Sequence, residues 1–154
     1  IVAVASPDFM PGRKHPAEPS QLGDFDGIAM RSTRTGRVRQ WLMRDGSGKE
    51  MPAQPREHVI VDDPAATCRA AELGLGVTLV PLSSALPRLE SGALVRLLPR
   101  WYGDLGSISI YYASRKLLPA KTRAFVDHVA QGFEEQRLAQ RLHALSAAAG
   151  GPRR

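Results

Sequence analysis

Polar residues able to do chemistry stand just beyond three apolar runs of this chain. Ser6 follows Ile1 to Ala5, Arg31 and Ser32 follow the run that begins at Asp26, and Asp62 and Asp63 follow Glu57 to Val61. Together they offer a hydroxyl, a guanidinium able to grip a carboxylate through two parallel hydrogen bonds, and acids where a helix begins. That set suits reversible binding of a small molecule, since it holds donors and a cation but no paired nucleophile and base. The plainer reading makes Ser6 and Asp63 helix caps and pairs Arg31 with a surface acid.

Other chemistries find less support. No Gly-x-Ser-x-Gly elbow occurs, and Asp45-Gly46-Ser47-Gly48-Lys49 lacks the spacing of a phosphate loop, so it reads as a hairpin turn. His15, His58, His128 and His143 are dispersed without metal-ligand spacing. His58 precedes Asp62 and Asp63 but reads as an ordinary strand residue. Cys68 is the single cysteine, which excludes an internal disulfide and a cysteine-rich zinc site; among small residues it reads as a buried, inert thiol of a reducing compartment. No catalytic residue, metal site or cofactor is expected, and the protein is not read as an enzyme.

The elements that must position these residues follow from local patterns. Ser6-Pro7-Asp8 starts a helical turn after the first strand, with Phe9 and Met10 expected to bury. Gly12 to Pro19 reads as loop, Pro19 to Leu22 as one helical turn, and Asp26 to Arg31 as strand. Three strand-sized pieces follow, Arg39 to Met43, a stretch around Lys49 to Ala53, and Glu57 to Val61, and this part is expected to be antiparallel. From Val59 to Pro81 the pattern is strand, Asp63 as N-cap, Pro64 at the first helical position, helix, Gly74 as stop, then strand: a βαβ unit. Ligands of such units sit beyond the strand C-terminal ends, here at Asp62. A short helix at Ser83 to Glu90, a strand at Leu94 to Leu98 and an alternating strand at Ser107 to Tyr112 come next. From Pro119 a helix carries Phe125, Val129 and Phe133 as a stripe expected to pack on a sheet, and its pattern runs on to about Leu145.

The 154 residues are 43% hydrophobic and 23% charged, enough for one core or two small lobes. Apolar runs are too short for a membrane span. Ile1 opens on a strand with no signal-peptide pattern, as if cut from something longer. The net charge of +6 raises a nucleic-acid reading, but no zinc finger, aromatic RNA motif or helix-turn-helix accompanies it. Arg31, Arg34, Arg37, Arg39 and Arg44 read as a solvated basic surface.

The chain resembles the C-terminal effector-binding domain of LysR-type transcriptional regulators. The resemblance rests on Val4-Ala5-Ser6-Pro7-Asp8-Phe9, Pro19-Ser20-Gln21-Leu22, Trp41, Val61-Asp62, Ala70-Ala71 and Gly74-Leu75-Gly76-Val77-Thr78-Leu79-Val80-Pro81. It continues through Gly92 to Pro99, Tyr112 and Pro119 to Asp127. It implies an α/β fold like type 2 periplasmic binding proteins, two lobes joined by crossover strands around an effector cleft, with lobe I incomplete. On that pattern residues 1–76 hold the first crossover and lobe II, 77–145 the return crossover and the C-terminal part of lobe I, and 146–154 a tail.

The implied effector contacts are Ser6 and the turn of Val61 and Asp62. Arg31 and Ser32 are added from their chemistry, and Ala5 and Pro81 complete the set at strand ends. The implied partners are a small-molecule effector, DNA only through an N-terminal domain this chain does not contain, and further copies of itself in a homo-oligomer; the implied location is the cytoplasm, with no membrane partner. Two alternatives stay open: a solute-binding protein of a transport system with the same fold, and a small basic nucleic-acid-binding domain.

Overall fold

The computed structural model describes residues 1–106, 109–111 and 119–143. Its first strand, β1 (Val2–Ala5), is wholly buried. An unbroken apolar run suits a strand covered on both faces, because successive side chains leave on opposite sides. Val2 and Val4 enter one hydrophobic cluster, and Ala3 and Ala5 enter another.

Around β1 a five-stranded sheet assembles from β2 (Asp26–Met30), β5 (Arg56–Val61), β6 (Val77–Val80) and β7 (Val95–Leu97) in the order β5-β2-β6-β1-β7. β2 runs parallel to both β5 and β6, whereas β1 is antiparallel to β6 and β7. A second sheet, ordered β4-β3-β8, comprises β3 (Trp41–Asp45), β4 (Glu50–Ala53) and β8 (Trp101–Tyr102). The turn at residues 45–49 joins β3 and β4 as an antiparallel hairpin, where Asp45 Oδ1 accepts from the amides of Ser47 and Lys49. Antiparallel pairing therefore holds for this hairpin but not for the third expected piece. β5 leaves it for the large sheet and lies parallel to β2.

One face of the large sheet is covered by α1 (Pro64–Glu72) and α2 (Leu82–Glu90), which bring Cys68, Ala71, Leu82 and Ala85 onto Val2, Val4, Ile28 and Val80. The other face lies under 3-10 turns at Pro7–Phe9 and Pro19–Asp24 and under the small sheet, with Met10, Leu22, Phe25, Met43 and Trp101 packed on Ala3, Ala5 and Leu79. Each fully buried valine of β1 contributes about 1.5–3 kcal/mol of apolar burial.

α1 is built as its sequence reads. The Asp63 carboxylate accepts the Ala66 amide at 2.6 Å, Pro64 fills the first helical position, and Gly74 at φ +76° ends the helix. Gly76 answers a close approach: at φ +150°, a Cβ there would stand 2.4 Å from the Asp26 carbonyl oxygen. Glu72 ties α1 to α2, accepting from Arg69 at 2.8 Å and from Arg88. These guanidiniums, Arg69 first, hold its carboxyl below the usual range.

Several sequence expectations are corrected. β6 and β7 share a sheet with β1, β2 and β5, so no break between sheets falls at the 76/77 boundary. Of the alternating strand, residues 107, 108 and 112 lie outside the described residues; Ser109 to Tyr111 has no strand partner among the described residues, and Tyr111 is 92% exposed. The last helix, α3 (Ala120–Glu135), forms from Pro119 as read, yet none of its residues is buried and Phe125 is 63% exposed. Among the described residues no sheet covers its stripe. At Arg137, φ +50°, the chain turns into the short α4 (Leu138–Arg141) rather than one helix continuing. Leu145 and the tail of residues 146–154 lie outside the described residues.

Candidate functional site

Strand direction decides which candidate residues meet. β2, β5 and β6 are parallel, so their C-terminal ends deliver Arg31, Val61 with Asp62, and Pro81 to one end of the large sheet. β2 lies between the other two. Met30 is paired with Val61, and the Arg31 amide donates to the Val61 carbonyl at 2.7 Å, fixing Arg31 beside Asp62.

Past β2 the chain doubles back in a tight loop. The Ser32 amide donates to Arg37 O at 2.9 Å, the Arg39 amide to Met30 O at 2.8 Å, and the Thr35 amide to Ser32 Oγ at 3.3 Å. Ser32 is thus held by its own turn.

Ala5 and Ser6 stand elsewhere. Because β1 pairs Val2 with Val80 and Val4 with Thr78, its C-terminal end lies at the start of β6, not at its finish. At the rise of a strand residue, Ser6 is roughly 16 Å along the sheet from the level of Pro81. The convergence expected from sequence assumed strands running one way, and the antiparallel β1 removes Ser6 from it. Ser6 Oγ instead accepts the Asp8 amide at 3.1 Å, as a cap, and the side chain is buried. Asp63 likewise serves as the cap of α1. Arg31 does not follow its plainer reading, having no ion-pair partner among the described residues.

The same sheet end gathers groups that the sequence reading passed over. Pro81 closes β6 and stands at the N-cap of α2, where its carbonyl accepts from Ser84 and Ala85 and no side chain caps the helix. Strand, proline and helix follow one another here much as they do at Asp63-Pro64, and that repeat was the available signal. Ile1 and Gly103 exchange two backbone bonds, 2.6 and 2.9 Å, which brings the segment after β8 alongside. A cavity of about 330 Å³ opens between Pro81, Ser83, Tyr102, Asp104 and His143.

The opposite end is occupied by structural chemistry. Arg56 Nε and its terminal nitrogen reach Asp26 Oδ1 at 3.0 and 2.7 Å, holding that carboxyl below its ordinary value. Burial raises the Cys68 thiol, which makes it a poor nucleophile. Among the described residues no cluster of His, Cys, Asp and Glu could hold a metal ion, and no helix is long and apolar enough to cross a membrane.

Three parallel strand ends, two of them followed directly by helices, define a class first: an α/β ligand-binding domain of the open-sheet kind. The family follows from comparison. Residues 1–134 match the family described as the LysR substrate binding domain, and the chain belongs to that family. It is 30% identical over 141 residues to the HTH-type transcriptional regulator PtxR of Pseudomonas aeruginosa, covering 90% of this chain and 44% of that protein. It is 25% identical over 129 residues to the HTH-type transcriptional regulator PgrR of Escherichia coli, covering 84% of this chain and 43% of that one.

The regulatory domain of AphB from Vibrio vulnificus superposes with a TM-score of 0.68 at 23% identity, over 84% of this chain and 64% of that one. The fold is thus that of a LysR-type regulatory domain, like type 2 periplasmic binding proteins. The chain spans less than half the length of the curated relatives it matches. Those relatives are transcriptional regulators rather than enzymes.

Proposed function

We propose that this chain is the ligand-sensing portion of a LysR-type transcriptional regulator and that its effector surface is the sheet end carrying Arg31, Ser32, Val61, Asp62 and Pro81. One observation carries the reading: three parallel strands place these residues side by side, Arg31 exposed between Asp62 and Pro81. Arg31 supplies a fork for a carboxylate or similar group, and Asp62 an acceptor beside it. Ala5 and Ser6, at the other end of the sheet, do not contribute.

In this reading the effector lies between this lobe and a second one. The partly exposed stripe Val126, Val129 and Phe133 of α3 supports that arrangement, as does the 64% coverage of the AphB regulatory domain: both leave room for further structure over α3. The effector acts by favouring one relative orientation of the lobes, which shifts the equilibrium of a homo-oligomer and so the DNA contacts of a separate helix-turn-helix in the cytoplasm. Such a shift requires unequal affinity for the two orientations.

Screening small carboxylates and neutral metabolites against the isotope-labelled chain by two-dimensional NMR tests the placement. Amide shifts clustered at Arg31, Ser32, Asp62, Leu82 and Ser83, and lost in Arg31→Ala, are expected. Shifts clustered at Ser6 and Asp26 instead would overturn it.

A further inference from the structure

Between Asp26 and Asp45 the chain contains five arginines and no acidic residue. Among the described residues only Arg44 of these five finds a carboxylate, that of Asp104. Arg56, Arg69, Arg88, Arg141 and Lys49 are likewise neutralised by nearby acids. Arg34, Arg37 and Arg39 are exposed and have no ion-pair partner among the described residues. Other cations without an ion pair are scattered along the chain, whereas this loop sets three of them within six residues.

The loop is ordered by its own backbone. Arg31 and Val38 form an antiparallel bridge, Ser32 N donates to Arg37 O, Gly36 N donates to Ser32 O, and Arg37 N reaches Thr35 Oγ1 at 3.4 Å. Arg39 lies 6.0 Å from the Trp41 ring, a weak cation–π contact that orients the guanidinium but leaves its charge unneutralised. Three exposed arginines thus stand within six residues of one backbone-ordered turn, and among the described residues no carboxylate pairs with them.

We propose that this turn, through Arg34, Arg37 and Arg39, is a contact surface for the phosphate backbone of duplex DNA, independent of base sequence, adjoining the effector surface but using none of its side chains. Three exposed arginines spread over six residues fit an extended array of negative charges, as a duplex backbone presents. Arginine forks match phosphate oxygens in pairs, and Thr33 and Thr35 add hydroxyl donors of the kind that commonly meet the backbone. Residues 31–39 carry no aromatic side chain, and the neighbouring Trp41 is half-buried beside Arg39, which favours duplex over single-strand binding.

Fluorescence anisotropy of the full 154-residue chain with a short labelled duplex of mixed sequence tests this across a salt series. Saturable binding at about 50 mM salt is expected, weakening steeply toward about 200 mM, since each phosphate contact contributes about 0.9 to the log–log salt slope. Replacing Arg34, Arg37 and Arg39 together with alanine should reduce that slope by about 2.7, and replacing them with lysine should restore most of it. The alanine variant should melt at the wild-type temperature, because all three side chains are exposed. Any of four results would overturn the proposal: no saturable binding at about 50 mM salt, a slope unchanged in the alanine variant, the same loss of slope on neutralising Arg100 and Arg123 instead, or equal binding of poly-glutamate.

Discussion

The five-stranded sheet and helix α3 are opposite cases of apolar patterning. In β1 every residue is buried and both faces are covered, by α1 and α2 on one side and by the small sheet on the other. α3 has an equally readable stripe of Phe125, Val126, Val129 and Phe133, yet nothing in it is buried. Periodicity shows which face wants a partner; only the rest of the chain supplies one. The first region is a finished core, and the second is a stripe left uncovered among the described residues.

Mutations should separate the two. The largest effect is expected from Leu22→Ala, which empties a wholly buried site under the sheet and should cost about 2–5 kcal/mol in urea unfolding. Gly76→Ala forces a side chain against the Asp26 carbonyl at an unfavourable φ, and a loss of about 1–3 kcal/mol is expected from the same titration. Asp63→Ala removes the cap of α1 and should cost about 1 kcal/mol, with faster amide exchange at Ala66.

Glu72→Gln cuts the link between α1 and α2 for roughly 0.5 kcal/mol, a small value because Arg69 is mostly exposed. The sign of its pH dependence follows from the depressed carboxyl. Its stabilisation is fully present above the unfolded value and disappears as pH falls through the lower folded value. Melting curves of wild type and Glu72→Gln should therefore differ at neutral pH and converge in acid; a gap that widens in acid would contradict the assignment. The smallest change is expected for Phe125→Ala, within about 0.5 kcal/mol. A loss as large as that of Leu22→Ala would mean that α3 is already covered, and the contrast between the two regions would fail.

Local chemistry was legible in the sequence wherever it was self-contained. Asp63, Pro64 and Gly74 bound α1 as read, residues 45–49 make the hairpin turn, and Cys68 is buried. Strand direction was not legible. Val2-Ala3-Val4-Ala5 looks the same read from either end, because an all-apolar run records burial but not orientation. For that reason Ser6 was grouped with Arg31 and Asp62, and the antiparallel pairing of β1 takes it away. β5 was placed with its sequence neighbours, yet a strand after a hairpin is free to join another sheet. Of the seven candidate positions, Arg31, Ser32, Val61, Asp62 and Pro81 lie at one end of the sheet, and Ala5 and Ser6 lie at the other because topology, which the residue types do not record, put them there.

The central place of β1 also has a consequence for how the chain is made. Val2 pairs with Val80 and Ala3 with Leu97, so the most deeply buried strand waits for partners synthesised roughly eighty residues or more later. At an elongation rate of about 5–20 residues per second, Val2–Ala5 spends on the order of 4–16 s without them. Pairing across so many residues is also intrinsically slow to form. The strand that anchors both faces of the finished sheet is, during synthesis, an uncovered apolar segment open to chaperones and to other nascent chains.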